Sequence, residues 1–363
     1  MNNMKRTIYF ILFLCIGLAQ YSCKKEDLTV PKDRSALPRS MGDFIRNNYD
    51  LSLLSAALQQ TGLLDSLNQG GPYTFFAPDN KAFQEWGVNS ADDFAKMNKD
   101  SLRFALKYHI TIGRLYLAEM PLQLGVRYPS LAGPDMYVST ANEQGRPQTP
   151  NAFKVLRVNG AVVFNDTKRD IPVANGVIHV IRKVQKYNPG TLQDQIAADT
   201  SLSLFKLAMQ QFEHWELLKG AGPYTIFAPS NQAFLQYGLT ADSLRKINAG
   251  DFQPVMMGIY VLMGNKKRIF ASDWNQINDP YAVYTNDLHV GDFYIRPYYS
   301  FNQYWAIEES YVATADKDGQ RGIYGPPQVN FVDGPTRGMD YVAANGVLHK
   351  IDALMLYPNA FRK

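Results

Sequence analysis

Thirteen consecutive residues, Gly71-Pro72-Tyr73-Thr74-Phe75-Phe76-Ala77-Pro78-Asp79-Asn80-Lys81-Ala82-Phe83, return 151 positions later as Gly222-Pro223-Tyr224-Thr225-Ile226-Phe227-Ala228-Pro229-Ser230-Asn231-Gln232-Ala233-Phe234. The same offset pairs Asp43 with Asp194, Ile45 with Ile196, Leu53 with Leu204 and Gly87 with Gly238. A register kept over so long a span marks a duplicated unit, not a chance motif. A second box, Ala174-Asn175-Gly176-Val177-Ile178-His179-Val180-Ile181, recurs as Ala344-Asn345-Gly346-Val347-Leu348-His349-Lys350-Ile351 at an offset of 170. The second copy therefore carries 19 extra residues between its boxes (170 less 151). Whatever one unit folds into, the chain must build it twice. Its 363 residues suit two domains of about 150 residues better than one large core.

Each box has a local physical reading. Tyr73 to Ala77 alternates as a half-buried strand, Pro78 ends it, Asp79 or Ser230 can cap the next helix, and Phe83 or Phe234 returns to the core. Asn-Gly between two apolar runs predicts a tight hairpin turn with positive φ at both positions. Upstream, Leu51 to Leu58 and Leu202 to Met209 space their apolar residues as amphipathic helices. Helices first and hairpins later predict an α+β domain, with helices packed on a β-sheet or sandwich core.

The two boxes, in order and twice over, resemble those of the fasciclin (FAS1) domain family. That resemblance implies two tandem FAS1-like domains, residues 40–187 and 188–359, the second with an aromatic-rich expansion at about 265–340. It further implies modules for adhesion and extracellular binding, with no shared enzymatic activity. Tyr108-His109 matches the family's central Tyr-His motif; the 151-residue offset reaches Ile259-Tyr260, so the second domain lacks it. Tyr108, His109, Asn175, Gly176, His179, Asn345, Gly346 and His349 are read as structural members of the family motifs.

The first segment reads as an address. Lys5 and Arg6 precede the apolar run Ile8 to Ala19, the charged and apolar regions of a secretory signal spanning residues 1–22. The run is too short for a comfortable membrane span of about 20 residues. Ser22-Cys23 after it resembles a bacterial lipobox, although Gln20 stands where an apolar residue is usual. Cys15 follows the bulky Leu14 and is the poorer candidate. Cys23 is thus the expected lipid attachment point, and several acyl chains at about 0.8 kcal/mol per buried methylene anchor a protein stably. Lys24-Lys25-Glu26-Asp27 resembles the surface-export signal of lipoproteins in the Bacteroidetes, and residues 23–39, with Pro31 and Pro38, read as a polar tether. The implied location is the outer membrane, facing outward.

Both cysteines lie in this leader, so the folded body has no disulfide, thiolate site or cysteine nucleophile. A net charge of +4 with no dense basic run argues against nucleic acid as a partner. The five histidines show no His-x-x-x-His spacing, so no metal site is expected, and no cofactor or catalytic residue is assigned. Glu308 and Glu309 are neighbours that a strand would point to opposite faces, and Asp316-Lys317-Asp318-Gly319 lacks the rest of a calcium loop. The expansion is rich in rings, and Trp274, Tyr281, Tyr284, Tyr298, Tyr299, Tyr304 and Trp305 are candidates for a contact surface, with core packing as the competing reading. The expected partners are the membrane through the lipid, and an outer-membrane complex of SusC/SusD type or an extracellular glycan or protein. A glycoside hydrolase in the second domain and a plain structural spacer are the alternatives. Growing cells should incorporate labelled palmitate into the unaltered chain and into a Cys15→Ala variant, and Cys23→Ala should carry no label.

Overall fold

The protein, represented by a computed structural model, is described at residues 38–143, 153–164, 166–261, 268–273, 289–290, 292–301, 307–316, 322–332 and 338–363. Its compact body runs over Arg39–Lys363. Cys15, Cys23 and the tether up to residue 37 lie outside the described residues.

The repeated boxes form the paired centre of each half. In the first, β1 (Tyr73–Pro78) runs parallel to β8 (Gly176–Ile181), flanked by β2 (Ile110–Ile112) and β7 (Ile171–Val173) in the order β2-β1-β8-β7. A second antiparallel sheet follows the order β3-β4-β5-β6, from β3 (Val126–Pro129), β4 (Asp135–Glu143), β5 (Phe153–Val158) and β6 (Ala161–Val162). In the second half, β10 (Tyr224–Pro229) runs parallel to β16 (Gly346–Ile351), with β15 (Tyr341–Ala343) beside it. Tyr73 faces Gly176 as Tyr224 faces Gly346, so the register of the duplicated pair is the same. The expansion supplies the sheet β11-β12-β13-β14, from β11 (His289–Val290), β12 (Phe293–Phe301), β13 (Ile307–Asp316) and β14 (Val329–Asn330). The fold class is α+β.

Helices cover one face of each boxed sheet. The first half uses α1 (Met41–Arg46), α2 (Ser52–Gln60) and α3 (Lys99–Lys107), and the second uses α4 (Leu192–Ala198) and α5 (Ser203–Gln211). In α2, Leu54 and Leu58 recur at helical spacing and are fully buried. The predicted caps form: Asp79 Oδ1 accepts the Ala82 N–H at 2.9 Å, and Ser230 Oγ accepts the Ala233 N–H at 3.3 Å. The next residue of the box ties the preceding helix, because Asn80 Oδ1 accepts the Leu53 N–H and Asn231 Oδ1 accepts the Leu204 N–H, both at 2.9 Å. Each bond satisfies a donor that a helix start leaves without an intrahelical partner.

Two local expectations change. β1 is buried on both faces, where alternation predicted one wet face. The sheet lies between layers: Phe75 packs with Leu54, Leu58 and Phe83 of the helical side, and Phe76 with Tyr108, Met136 and Leu156 of the second sheet. The hairpin loop is Ala174-Asn175, not Asn175-Gly176, since Val173 already faces Gly176, and neither Asn175 nor Gly176 has positive φ. Gly176 is required by close approach, because a Cβ there would collide with the Tyr73 carbonyl oxygen, and Gly346 meets Tyr224 in the same way.

The asparagine of that loop is a tie. Asn175 Oδ1 accepts the Met41 N–H at 2.8 Å, while its Nδ2 donates to Leu67 O and Gly70 O at 2.6 Å each. Asn345 repeats the set with Leu192 N, Leu218 O and Gly220 O, all at 2.8 Å. One side chain thus joins the hairpin, the first helix and the turn before the central strand. Asn345→Ala removes three bonds at a buried site, and urea denaturation should show a loss of about 3 kcal/mol or more. An unchanged midpoint would mean the tie carries no stability.

Candidate functional site

Asn98 opens α3 by accepting the Ser101 N–H at 2.9 Å. On this helix Asp100, Phe104 and Tyr108 follow one another at intervals of four, so they share one face, with Ser101 and Ala105 alongside. Gln185, Tyr187 and Pro189, from the stretch that leaves the first module, run against that face, and a cavity of about 400 Å³ remains between them. The Tyr187 ring lies 5.9 Å from Phe104 and 5.0 Å from Tyr108, centroid to centroid.

Tyr108 is fully buried, and its hydroxyl donates to Asp135 O and accepts from Asn159 Nδ2, both at 3.1 Å. Burial pushes its phenol well above the ordinary tyrosine range. His109 Nδ1 lies 2.7 Å from Ala105 O and its Nε2 accepts the Gln185 N–H at 2.9 Å, so the proton sits on Nδ1 and the ring is neutral. Burial lowers its pKa to about 4. In the second module the Met355 N–H donates to Tyr260 Oη at 3.0 Å. Met355 stands 170 residues after Gln185 and Tyr260 stands 151 after His109, so a phenol does there what the imidazole does here.

His179 and His349 make a second recurring device. His179 Nδ1 accepts the Asp170 N–H at 3.2 Å, and its Nε2 lies 2.8 Å from Leu115 O. Asp170, at φ 53°, returns a carboxylate oxygen to the Leu117 N–H at 2.8 Å. His349, Asp340 (φ 58°), Ile269 O at 3.0 Å and Ala271 N at 2.8 Å repeat the arrangement. Burial lowers the pKa of both rings, against a neighbouring aspartate that raises it in each case.

The second copy of this device reaches across to the first module. Lys183 Nζ donates to Asp340 Oδ2 with both side chains buried, and Gly160 lies so close that a Cβ there would collide with the Asp340 carboxylate. Ser139 Oγ donates to Asp273 Oδ2 at 3.1 Å, and burial raises the Asp273 carboxyl to about 6 although Arg157 draws it down. Arg268 spans the same seam: its guanidinium carbon lies 4.0 Å from the Tyr137 ring centre, and it donates to Ala343 O, Ala344 O and Gly346 O, each at 3.2 Å. Phe270, Val342 and Val347 form an apolar cluster against Tyr137 and Tyr187. The strand β9 (Lys186–Asn188) pairs in parallel with β15, so the second sheet begins before residue 188.

The structure therefore brings Tyr108 to the cavity wall with His109 behind it, and Asn175, Gly176, His179, Asn345, Gly346 and His349 to ties inside the modules. Tyr298 and Tyr299 stand on β12 opposite Tyr311 and Ser310. Trp274, Tyr281, Tyr284, Tyr304 and Trp305 lie outside the described residues. Sequence reading missed Lys183, Gln185, Arg268, Asp273 and Asp340. One signal was present: Asp170 recurs as Asp340 at offset 170, and Arg114 recurs as Arg268 at offset 154. Arg114 Nη2 also donates to Ala174 O, at 2.9 Å.

Residues 49–185 match the family model described as Fasciclin domain. This stretch is similar to a fasciclin domain. Human stabilin-1 is 25% identical over 84% of this chain and 10% of its own length. The transforming growth factor-beta-induced protein ig-h3 of Sus scrofa is 32% identical over 46% of this chain and 22% of its own length. Protein sll1483 of a Synechocystis strain is 28% identical over 47% of this chain and 85% of its own. The chain thus spans about a tenth of stabilin-1 and about a fifth of ig-h3. The solved FAS1 domain pair from the insect cell adhesion molecule fasciclin I aligns at a TM-score of 0.33 and 17% identity, over 85% of this chain and 97% of that one.

Among the described residues no group of three His, Cys, Asp or Glu side chains is placed to hold a metal ion. The buried histidines of the two modules act as neutral ties, which sets a pH dependence. Their folded pKa values lie below the unfolded value of about 6.5, so as pH falls the unfolded chain takes up protons first. Their contribution is complete above that value and declines as pH falls below it, with His109 losing its share as pH reaches about 4. Asp273 works in the opposite direction, gaining its proton in the folded chain near pH 6 and relieving a buried charge. Three rings outweigh one carboxylate. Urea midpoints should therefore be lower at pH 4.5 than at pH 7.5, and His109→Gln should flatten that slope.

Proposed function

We propose that this chain is a lipoprotein of a Bacteroidetes-type outer membrane, anchored through Cys23 and facing the exterior, where two fasciclin-type modules form one adhesion and binding scaffold. The observation that carries the single-scaffold part of this reading is the buried seam between the modules; the anchor rests on the leader sequence. Lys183 with Asp340, Ser139 with Asp273, Arg268 over Tyr137 and the shared strand β9 hold both modules as a single body. A body fixed in this way presents its two surfaces in constant relation, which suits a partner that spans them and lowers the ordering cost of binding. The buried histidines are spent on backbone ties, so the work assigned to this chain is recognition, with no bond made or broken. The likeness to stabilin-1 extends over 84% of the chain, which supports reading the second half as a further fasciclin domain with an expanded middle.

The partner is an outer-membrane complex, with a SusC/SusD-type uptake system as the specific candidate, or an extracellular protein or glycan. The rings of the expansion, among them Tyr298 and Trp305, are its proposed contact surface. Gentle solubilisation of outer membranes and affinity recovery of the tagged chain should bring down a stoichiometric envelope partner, and Tyr298→Ala/Trp305→Ala should weaken that recovery. Recovery of the chain alone, under conditions that preserve other envelope complexes, would sink the proposal.

A further inference from the structure

One carboxylate in the seam between the modules is poorly provided for. Asp273 closes the short helical turn Ala271–Asp273 of the second module and is 3% exposed. Ser139 Oγ, from β4 of the first module, donates to its Oδ2 at 3.1 Å. Its Oδ1 has no hydrogen-bond partner among the described residues. An ionised carboxylate has about four acceptor sites, so one bond in a dry interface leaves most of its charge unsolvated.

The charged groups around it pull in opposite directions. Arg157, buried on β5 opposite Ser139, favours the ionised form. Asp340, also buried, opposes it, although that aspartate pairs with Lys183 and lies 3.8 Å from His349 Nδ1. Arg268, earlier on the same stretch as Asp273, is turned to the Tyr137 ring and to backbone carbonyls. Burial and Asp340 together outweigh Arg157 and Ser139, and the carboxyl titrates at about 6.

We propose that the seam is a proton-controlled joint: Asp273 takes up a proton from solvent as the modules close, so mild acid tightens their contact and alkaline pH loosens it. When the modules part, Ser139 and Arg157 leave with the first module and water reaches the carboxyl. Its pKa then returns towards the ordinary value of about 3.9. The closed form therefore binds more protons between about pH 4 and 6, and it gains on the open form as pH falls through 6. The neutral histidine ties inside the modules have the opposite sign. Acid thus strengthens the joint while it weakens the bodies that the joint connects. This device goes beyond the binding-scaffold reading, and it depends on neither the lipid nor the partner.

Hydrogen exchange read by mass spectrometry on the unaltered full chain in detergent tests the joint, with protection corrected for the intrinsic pH dependence of exchange. The reporting amides are those of Ala271 and Asp273, which bond Asp340 Oδ1 and Phe270 O beside the seam. Their protection should rise about tenfold from pH 7 to pH 5, as a carboxyl titrating near 6 requires. The core amides of Phe76 and Tyr224, bonded to His109 O and Asn345 O, should gain no protection over that range. Asp273→Asn, which mimics the protonated form, should flatten the seam profile at its pH 5 level. Ser139→Ala removes the hydrogen bond to the ionised form, so the midpoint should move above pH 6, and this variant decides if Asp273→Asn does not fold. Seam protection that is flat or falls in acid in the unaltered chain would overturn the proposal. So would a pH dependence that survives in folded Asp273→Asn, or an unmoved midpoint in Ser139→Ala. Any of these results, with the envelope partner still recovered, removes the joint alone and leaves the scaffold reading standing.

Discussion

One carboxylate, Asp340, is held from several sides. Its Oδ1 accepts the Ala271 N–H, its own backbone N–H is taken by His349, and its Oδ2 meets Lys183 from the other module. A buried ion pair gains little net stability, because desolvation of two charges offsets most of their attraction. Its removal is another matter: one partner left alone in the interior costs several kcal/mol. The pair therefore specifies more than it stabilises. It fixes where the second module sits on the first, and the tolerated alternatives are few.

The intramodule part of that arrangement is older than the contact, in the sense that both modules possess it. Asp170 and Asp340 each adopt a left-handed backbone conformation, and each donates its N–H to a buried histidine. In the first module the aspartate's neighbours are Arg169 and open surface, and in the second they are Lys183 and Gly160. A tie needed by the fold has thus become, in one copy only, a joint between copies. The same economy appears at Arg114 and Arg268, which both donate to the carbonyls of the repeated hairpin, while only Arg268 is covered by a tyrosine of its neighbour.

The Tyr-His motif is clarified by its replacement. His109 Nε2 and Tyr260 Oη accept equivalent backbone N–H groups, so what the fold needs at that position is a buried acceptor of suitable reach. The imidazole adds a second bond, since its other nitrogen lies 2.7 Å from Ala105 O at the end of α3. In the module that keeps the histidine, α3 and Gln185 line the cavity and the His109 ring lies buried behind its wall.

The duplication, the α+β class and the helix caps at Asp79 and Ser230 were legible in the residues, because each depends on neighbours along the chain or on the repeat itself; the parallel pairing of the two boxes was not. The role of Gly176 was misread for a related reason: Asn-Gly has a strong local meaning in turns, and only the approach of Tyr73 from a distant strand overrides it. Lys183 and Asp340, 157 residues apart, and Ser139 and Asp273, 134 apart, carry no local signal at all. Their meeting is set by how one packed module lies on another, a property of surfaces that exists only after both have folded. The open donor of Gln185 belongs to the same class, since an unsatisfied group is defined by what fails to reach it in three dimensions.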